Sequence, residues 1–245
     1  MSHWYDTDGV PRYEVESKDG NLRPTTLRDA RKYGWVPSVS TVWKDVVNMS
    51  PNIVKWSQDI LLDVLITNPK WSYDNESESE YKKRVLKLHA IESTRARDQG
   101  TKIHGILEES FKTGAIEEGY DELVKGTKDA LFMVCGEQEW KTEHSFAHPL
   151  GYGGQIDLYS DEWVVDFKTK DQLEDGKKPS IFDSYGVQLS AYDHGVGGGR
   201  KLLNLFISVS SKGYVYPHVW EEKDRLFKMF STALDLWKLI KKYEP

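Results

Sequence analysis

The stretch Gly153-Gly154-Gln155-Ile156-Asp157-Leu158-Tyr159-Ser160-Asp161-Glu162-Trp163-Val164-Val165-Asp166-Phe167-Lys168-Thr169-Lys170 alternates apolar and polar residues on either side of a polar break. A period of two predicts strands over residues 153–159 and 163–169 that fold back on each other. With Asp161-Glu162 as a two-residue turn, Ser160 pairs with Trp163, and stepping along the ladder places Asp157 opposite Asp166. Alternation then sorts the side chains. Asp157, Asp166 and Lys168 share one face, while Ile156, Leu158, Val165 and Phe167 share the other and turn to the core. Carboxylates directly opposite each other cost a few tenths to about 1 kcal/mol, so something should compensate. A divalent cation does so directly, since hard Mg²⁺ or Mn²⁺ takes carboxylate oxygens and leaves positions for water and phosphate. Lys168 on the same face would orient a metal-bound water or neutralise charge on a transferring phosphate. Met by itself, an Asp-x-Lys is an ordinary surface ion pair. Here both aspartates interrupt apolar strands and the pairing brings them together.

Upstream of this hairpin the period is helical. Residues 38–66 read as two helices, broken at Ser50-Pro51, and residues 81–113 as a strongly helical segment with a possible split at Gln99-Gly100. Residues 121–139 form a further expected helix. Between them, residues 68–80 are rich in turn formers and acid and read as a loop, with Trp71 and Tyr73 available to stack on bases. Before about residue 35, Gly9, Pro11, Gly20, Pro24 and Gly34 punctuate a polar stretch that reads as an irregular arm rather than a helix. Downstream, a polar loop over 171–180 precedes a short helix over 184–194. Strands over 202–210 and 213–220 follow, divided by a turn at Ser211-Lys212. The last element is an amphipathic helix with Leu226, Phe230, Leu234 and Trp237 on one face. The order is helices first, then βββ-α-ββ-α, which implies a mixed α/β (α+β) domain with a central mixed sheet flanked by helices. One domain over 1–245 is expected, with an arm over 1–37, a helical wall or arch over 38–113 and a catalytic core over 114–245.

The chain has 245 residues, with 33 Lys and Arg against 39 Asp and Glu, so its net charge of −6 offers no global basic surface for nucleic acid. Its basic residues are instead concentrated on the segment that holds Lys82, Lys83, Arg84, Lys87, Arg95, Arg97 and Lys102. Of these, Lys87, Arg95, Arg97 and Lys102 are candidates for a track along a phosphate backbone. A single cysteine, Cys135, cannot build an internal disulfide, a four-cysteine zinc site or an iron–sulfur cluster, and points to a reducing, cytoplasmic setting. No apolar run is long enough to span a bilayer, so no membrane partner is expected.

The carboxylate hairpin resembles the PD-(D/E)XK nuclease superfamily, whose signature is an acid on one strand and acid-x-Lys on the next. It looks most like the RecB-type exonuclease branch, which includes phage exonucleases and the mitochondrial genome maintenance exonuclease. Gly154-x-x-Asp157, Asp166-x-Lys168-Thr169, Gln188-x-x-x-Tyr192 and Gly100-x-x-x-His104 match its motifs in order, and Pro37-Ser38-Val39-Ser40 resembles a Ser-Val-Thr segment, with Ser40 in place of the commoner Thr. The resemblance implies a restriction-endonuclease-like core with an N-terminal helical arch and a Mg²⁺- or Mn²⁺-dependent deoxyribonuclease without an iron–sulfur cluster. It implies action on DNA ends or single strands, in recombination or repair, in a phage-encoded or related setting. His104 would be a metal ligand beside Asp157, Asp166 and the backbone carbonyl of Phe167, with Asp157, Asp166 and Lys168 as the catalytic group. Glu108, one helical turn from His104, is an outer acid or water-mediated ligand, a role Glu139 or Glu143 could also fill. Gln188 and Tyr192 would meet a phosphate or a flipped base, or hold Lys168 in place. A structure-selective or restriction-like endonuclease, a catalytically inactive nucleic-acid-binding module of the same fold and an acidic interaction protein stand as alternatives.

Overall fold

The computed structural model describes residues 3–47, 51–70, 75–170, 173, 178–211 and 213–245, and the chain divides into two compact units, Met1–Val46 with His104–Pro245, and Val47–Ile103. Ser50, Trp71, Tyr73, most of the loop expected over 171–180 and Lys212 of the expected turn lie outside the described residues.

The larger unit begins with short strands, not an irregular arm. These are β1 (Trp4–Tyr5), β2 (Pro11–Arg12), β3 (Glu14–Glu16) and β4 (Leu22–Pro24). Next come α1 (Leu27–Tyr33), β5 (Val36–Pro37) and α2 (Val39–Val47). β1 pairs antiparallel with both β2 and β5, and β3 with β4. Burial explains why the arm is ordered: Trp4 and Tyr5 are 2% and 4% exposed, and the Trp4 ring lies 6.1 Å from that of Trp237. Helix α1 was hidden by its polar residues, yet its start is chemically marked. Asp29, in the first turn, accepts from the Thr26 N–H at 2.9 Å, and Gly34 ends the helix at φ 71°.

The smaller unit contains α3 (Pro51–Thr67) and most of α4 (Glu78–Lys112), which runs on into the larger unit from His104. Within it, Arg84 and Glu76 form a largely buried ion pair at 2.8 Å, and His89 Nε2 lies 3.1 Å from Ser57 Oγ. The expected split near Gln99-Gly100 does not occur. Each of its two internal glycines, Gly100 and Gly105, costs the helix about 1 kcal/mol, which 35 residues with ion pairs along them such as Glu78–Lys82 at 2.6 Å absorb.

The rest of the larger unit comprises α5 (Asp121–Cys135), β6 (Lys141–His148), β7 (Tyr152–Tyr159), β8 (Trp163–Lys170), α6 (Asp183–Gly195), β9 (Lys201–Ser208), β10 (Val215–Trp220) and α7 (Lys223–Lys241). α5 stops short of residue 139 because Gly136 turns the chain at φ 70°. Five strands form one mixed sheet in the order β10-β9-β8-β7-β6. Only β8 and β9 are parallel, as the crossover through α6 requires, and the other neighbours are antiparallel. The apolar stripe of α7 is buried as its spacing predicts, with Leu226 and Phe230 at 0% exposure, and Ile156, Leu158, Val165 and Phe167 are buried as well.

Candidate active site

Leu158 faces Val165 and Tyr159 faces Val164, and the Ser160 N–H closes the turn on the Trp163 carbonyl at 2.9 Å. Continued by one step, this register sets Asp157 opposite Asp166. There the ladder changes character. The Phe167 N–H donates at 2.8 Å to Asp157 Oδ2, so a side-chain carboxylate takes the place of a backbone acceptor and ties β7 to β8. On the other flank, Thr142 faces Leu158 and His144 faces Ile156, which puts Glu143 across from Asp157, at a left-handed φ of 50°. Asp166 in turn faces Asn204 of the parallel strand β9.

The last turns of α4 bring His104 to this row. Its Nδ1 lies 3.4 Å from Asp157 Oδ2 and its ring stands edge-on to Phe167, with centroids 5.9 Å apart. Leu107, on the adjacent stripe, is 0% exposed and seats that end of the helix. Burial works against a charged His104, but its bond to Asp157 and that carboxylate's charge prevail and hold its pKa above the ordinary value. Asp157 shows the converse. Burial raises it, and the His104 contact, the Lys168 charge and the Phe167 N–H together pull it below the usual carboxylate range. Asp166, its side chain only 4% exposed, is pushed up by burial and by the neighbouring Asp157 charge despite Lys168, whose Nζ lies 2.7 Å from its Oδ2. The same carboxylates hold the Lys168 ammonium above its ordinary pKa against burial.

Gln188 and Tyr192, one turn apart on α6, complete a relay. Lys168 Nζ donates to Gln188 Oε1 at 3.1 Å, and Gln188 Nε2 donates to Tyr192 Oη at 2.9 Å. Because an ammonium only donates, Lys168 itself dictates which way the Gln188 amide faces. Gly154 explains how Tyr192 reaches its place: a Cβ there would stand 2.5 Å from Tyr192 Cε1, so only glycine admits the ring against β7. Two of the sequence motifs are therefore one packing arrangement.

Of the two glutamates expected as an outer acid, Glu143 and not Glu139 lies beside this row. Glu143 contacts Glu108 and lies near Asp157. Burial raises its pKa first, and the two neighbouring carboxyls raise it further. Glu108 is also ion-paired with Lys112, while Glu139 is exposed on the connection to β6. Sequence reasoning missed Asn204, whose signal was present as a lone amide in the run Leu202-Leu203-Asn204-Leu205-Phe206. It also missed Trp220, which gave none.

Of the basic candidates on α4, Lys87, Arg95 and Lys102 line one shallow depression with Ile91, Thr94 and Asp98, a spacing that follows one stripe of the helix. Arg97 is two residues, or about 200°, from Arg95 and stands off that stripe, 3.3 Å from Asp98. Among the described residues no group of three His, Cys, Asp or Glu side chains converges as a metal requires. His104, Asp157 and Asp166 are neighbours, but His104 Nδ1, Asp157 Oδ2 and both Asp166 oxygens are turned into bonds with one another, Phe167, Asn204 and Lys168.

No family model and no curated protein matches the chain. Among solved structures it is similar to an alkaline exonuclease (LHK-Exo) from Laribacter hongkongensis, at 14% identity over 58% of this chain and 79% of that one, with a TM-score of 0.38. It is also similar to the protein SSO0001, at 15% identity over 74% of this chain and 86% of that one, with a TM-score of 0.31. At TM-scores of this size the chemistry of the site rests on its own residues.

Proposed function

We propose that this chain is a metal-dependent nuclease that hydrolyses phosphodiester bonds of DNA, acting as an exonuclease on ends or single strands. The observation that carries the reading is the buried Asp166–Lys168 pair set beside Asp157 and His104 on two adjoining strands and one helix end. Two acids brought together where both are costly, with an imidazole against one of them, form a donor set suited to a hard divalent ion. Among the described residues no hydrogen bond reaches Asp157 Oδ1, which leaves that oxygen open to a cation. Mg²⁺ or Mn²⁺ would be held by Asp157, Asp166, His104 and the Phe167 carbonyl, with Glu143 or Glu108 beyond them. When bound, the ion polarises the phosphate and acidifies water.

The chain's own residues do the rest. Asp166 and Gln188 hold the Lys168 amine from two sides, and with its pKa held up the amine stays an ammonium at neutral pH. An ammonium donates, so Lys168 would fix the attacking water by its oxygen and offset charge on the phosphoryl oxygens. Lys87, Arg95 and Lys102 supply backbone contacts along α4.

The test is incubation of end-labelled linear DNA and of circular single-stranded DNA with Mg²⁺, Mn²⁺ or EDTA. Loss of the linear substrate alone, abolished by EDTA and by Asp166→Asn or Lys168→Ala, is the expected result. Equal cutting of circles would make the enzyme an endonuclease, and no metal-dependent cutting of either substrate would refute the proposal.

A further inference from the structure

We propose that Asn204 and Trp220 are positioning residues that lock the orientation of the Asp166 carboxylate. The inference rests on the nuclease reading and assigns two residues to the same site. Asn204 lies at 0% exposure in β9, among Leu202, Leu203, Leu205 and Phe206, also at 0%. An amide buried in such company is unfavourable unless every polar atom is bonded, and a leucine would fill the space with no such demand. Here both ends are bonded. Asn204 Nδ2 donates to Asp166 Oδ2 at 2.7 Å and to the Asp166 carbonyl at 3.2 Å, while Asn204 Oδ1 accepts from Trp220 Nε1 at 2.8 Å.

The direction of this relay is forced. An indole N–H can only donate, so Trp220 turns the amide oxygen toward itself and the amide NH₂ toward Asp166. The register makes it possible: Asn204 faces Asp166 on one side and His218 on the other, and Trp220, two residues beyond His218, projects on the same face. The indole is itself held. A Cβ on Gly186 of α6 would come within 2.7 Å of its ring, so glycine there lets the helix close down on Trp220. Three strands and a helix thus bring one neutral donor to Asp166 Oδ2, while Lys168 Nζ spans the carboxylate at 2.7 Å from Oδ2 and 2.9 Å from Oδ1. A metal-binding carboxylate whose plane is set in this way needs no reorientation as the site loads, and loss of such outer partners typically costs 10–100-fold in affinity or activity.

The experiment compares Asn204→Leu and Trp220→Phe with the unaltered chain by Mn²⁺ binding in the absence of DNA, followed by electron paramagnetic resonance, by kcat and KM on linear DNA, and by thermal melting. Asn204→Leu is expected to weaken Mn²⁺ binding or lower kcat by about 10–100-fold at unchanged KM, with Trp220→Phe moving the same quantity less. If Asn204→Leu does not fold, Trp220→Phe decides, because it keeps an aromatic ring at this position and removes the indole donor. Variants within twofold of the unaltered protein in both Mn²⁺ affinity and kcat would overturn the proposal and leave the nuclease reading standing. An unaltered protein that neither binds Mn²⁺ nor cleaves would overturn both.

Discussion

Gly154→Ala is a demanding test of how the site is assembled. The added Cβ would meet Tyr192 Cε1 at 2.5 Å, Tyr192 Cδ1 at 3.0 Å and Phe146 Cε1 at 3.1 Å. Carbon atoms rest about 3.5–4.0 Å apart, so the tyrosine ring must withdraw by about 1 Å. It has little room, being 7% exposed and packed edge-on against Phe146 at 6.0 Å. If Gln188 stays in place, its 2.9 Å bond to Tyr192 is stretched beyond hydrogen-bonding range; if it follows the ring, its 3.1 Å bond with Lys168 gives way instead. Overpacking of this kind costs about 1–3 kcal/mol, or roughly 3–9 °C in melting temperature for a chain of this size. A displacement of about 1 Å at the amine proposed to fix the water should lower kcat by about 100-fold. Calorimetry and steady-state cleavage of linear DNA measure the two effects. The double variant Gly154→Ala with Tyr192→Leu should recover most of the stability and little of the rate. A single Gly154→Ala protein that melts within 1 °C of the unaltered one at full kcat would refute the reasoning.

Lys168→Met in EDTA leaves the Asp166 carboxyl, 4% exposed, without its cation. It then protonates, which limits the loss at pH 7 to about 4 kcal/mol, one pKa unit being ~1.4 kcal/mol over the roughly three units from an unfolded aspartate to neutrality. A carboxyl whose folded pKa is raised lowers stability as pH rises above about 4, so urea titrations should show the gap to the unaltered protein widening from acid to neutral pH; a pH-independent gap would contradict this. Asp29 has the opposite sign. Arg23 at 2.7 and 2.8 Å and Thr26 hold it well below the carboxylate range, so its contribution is full above about pH 4 and is lost progressively as pH falls from there through its depressed folded value. Asp29→Asn should cost about 1–2 kcal/mol at pH 7, discounted for the half-exposed Arg23, and keep most of that gap at pH 3, the gap closing only in stronger acid, by the same titration. On α4, Lys87→Ala with Arg95→Ala should reduce the slope of log affinity against log salt for single-stranded DNA by about 1.4, while Arg97→Ala leaves it unchanged. An equal effect of Arg97 would remove the stripe.

The carboxylate hairpin was legible because strand alternation and a two-residue turn leave one register, and that register holds through Tyr159 and Val164. The stripe on α7 was legible for the same reason, a period carried through by large apolar residues. The N-terminal strands were not, since two- and three-residue strands carry no period and owe their order to Trp4 and Tyr5 finding a core built from distant sequence. Gly100 looked like a boundary because a glycine's cost is local, whereas the pairs that outweigh it are spread along the helix. Glu139 and Glu143 were equivalent as letters, and only the pairing of β6 with β7 tells them apart. Holding Lys168 was one of several roles open to Gln188 until the α6 crossover set the two side by side, whereas Asn204 needed the parallel pairing of β8 with β9, which the spacing of residues does not contain.

The Phe167 peptide proton, bound to Asp157 rather than to another peptide, gives the site a spectroscopic consequence. Its partner carries a full charge when ionised and none when protonated, while the amide next to it in sequence remains an ordinary sheet proton. The ¹⁵N and ¹H resonances of this single backbone group therefore register the charge state of Asp157 with no probe attached and no substrate present. Whatever draws on that carboxylate, whether a proton or a cation, is reported one residue away from the acid–lysine pair.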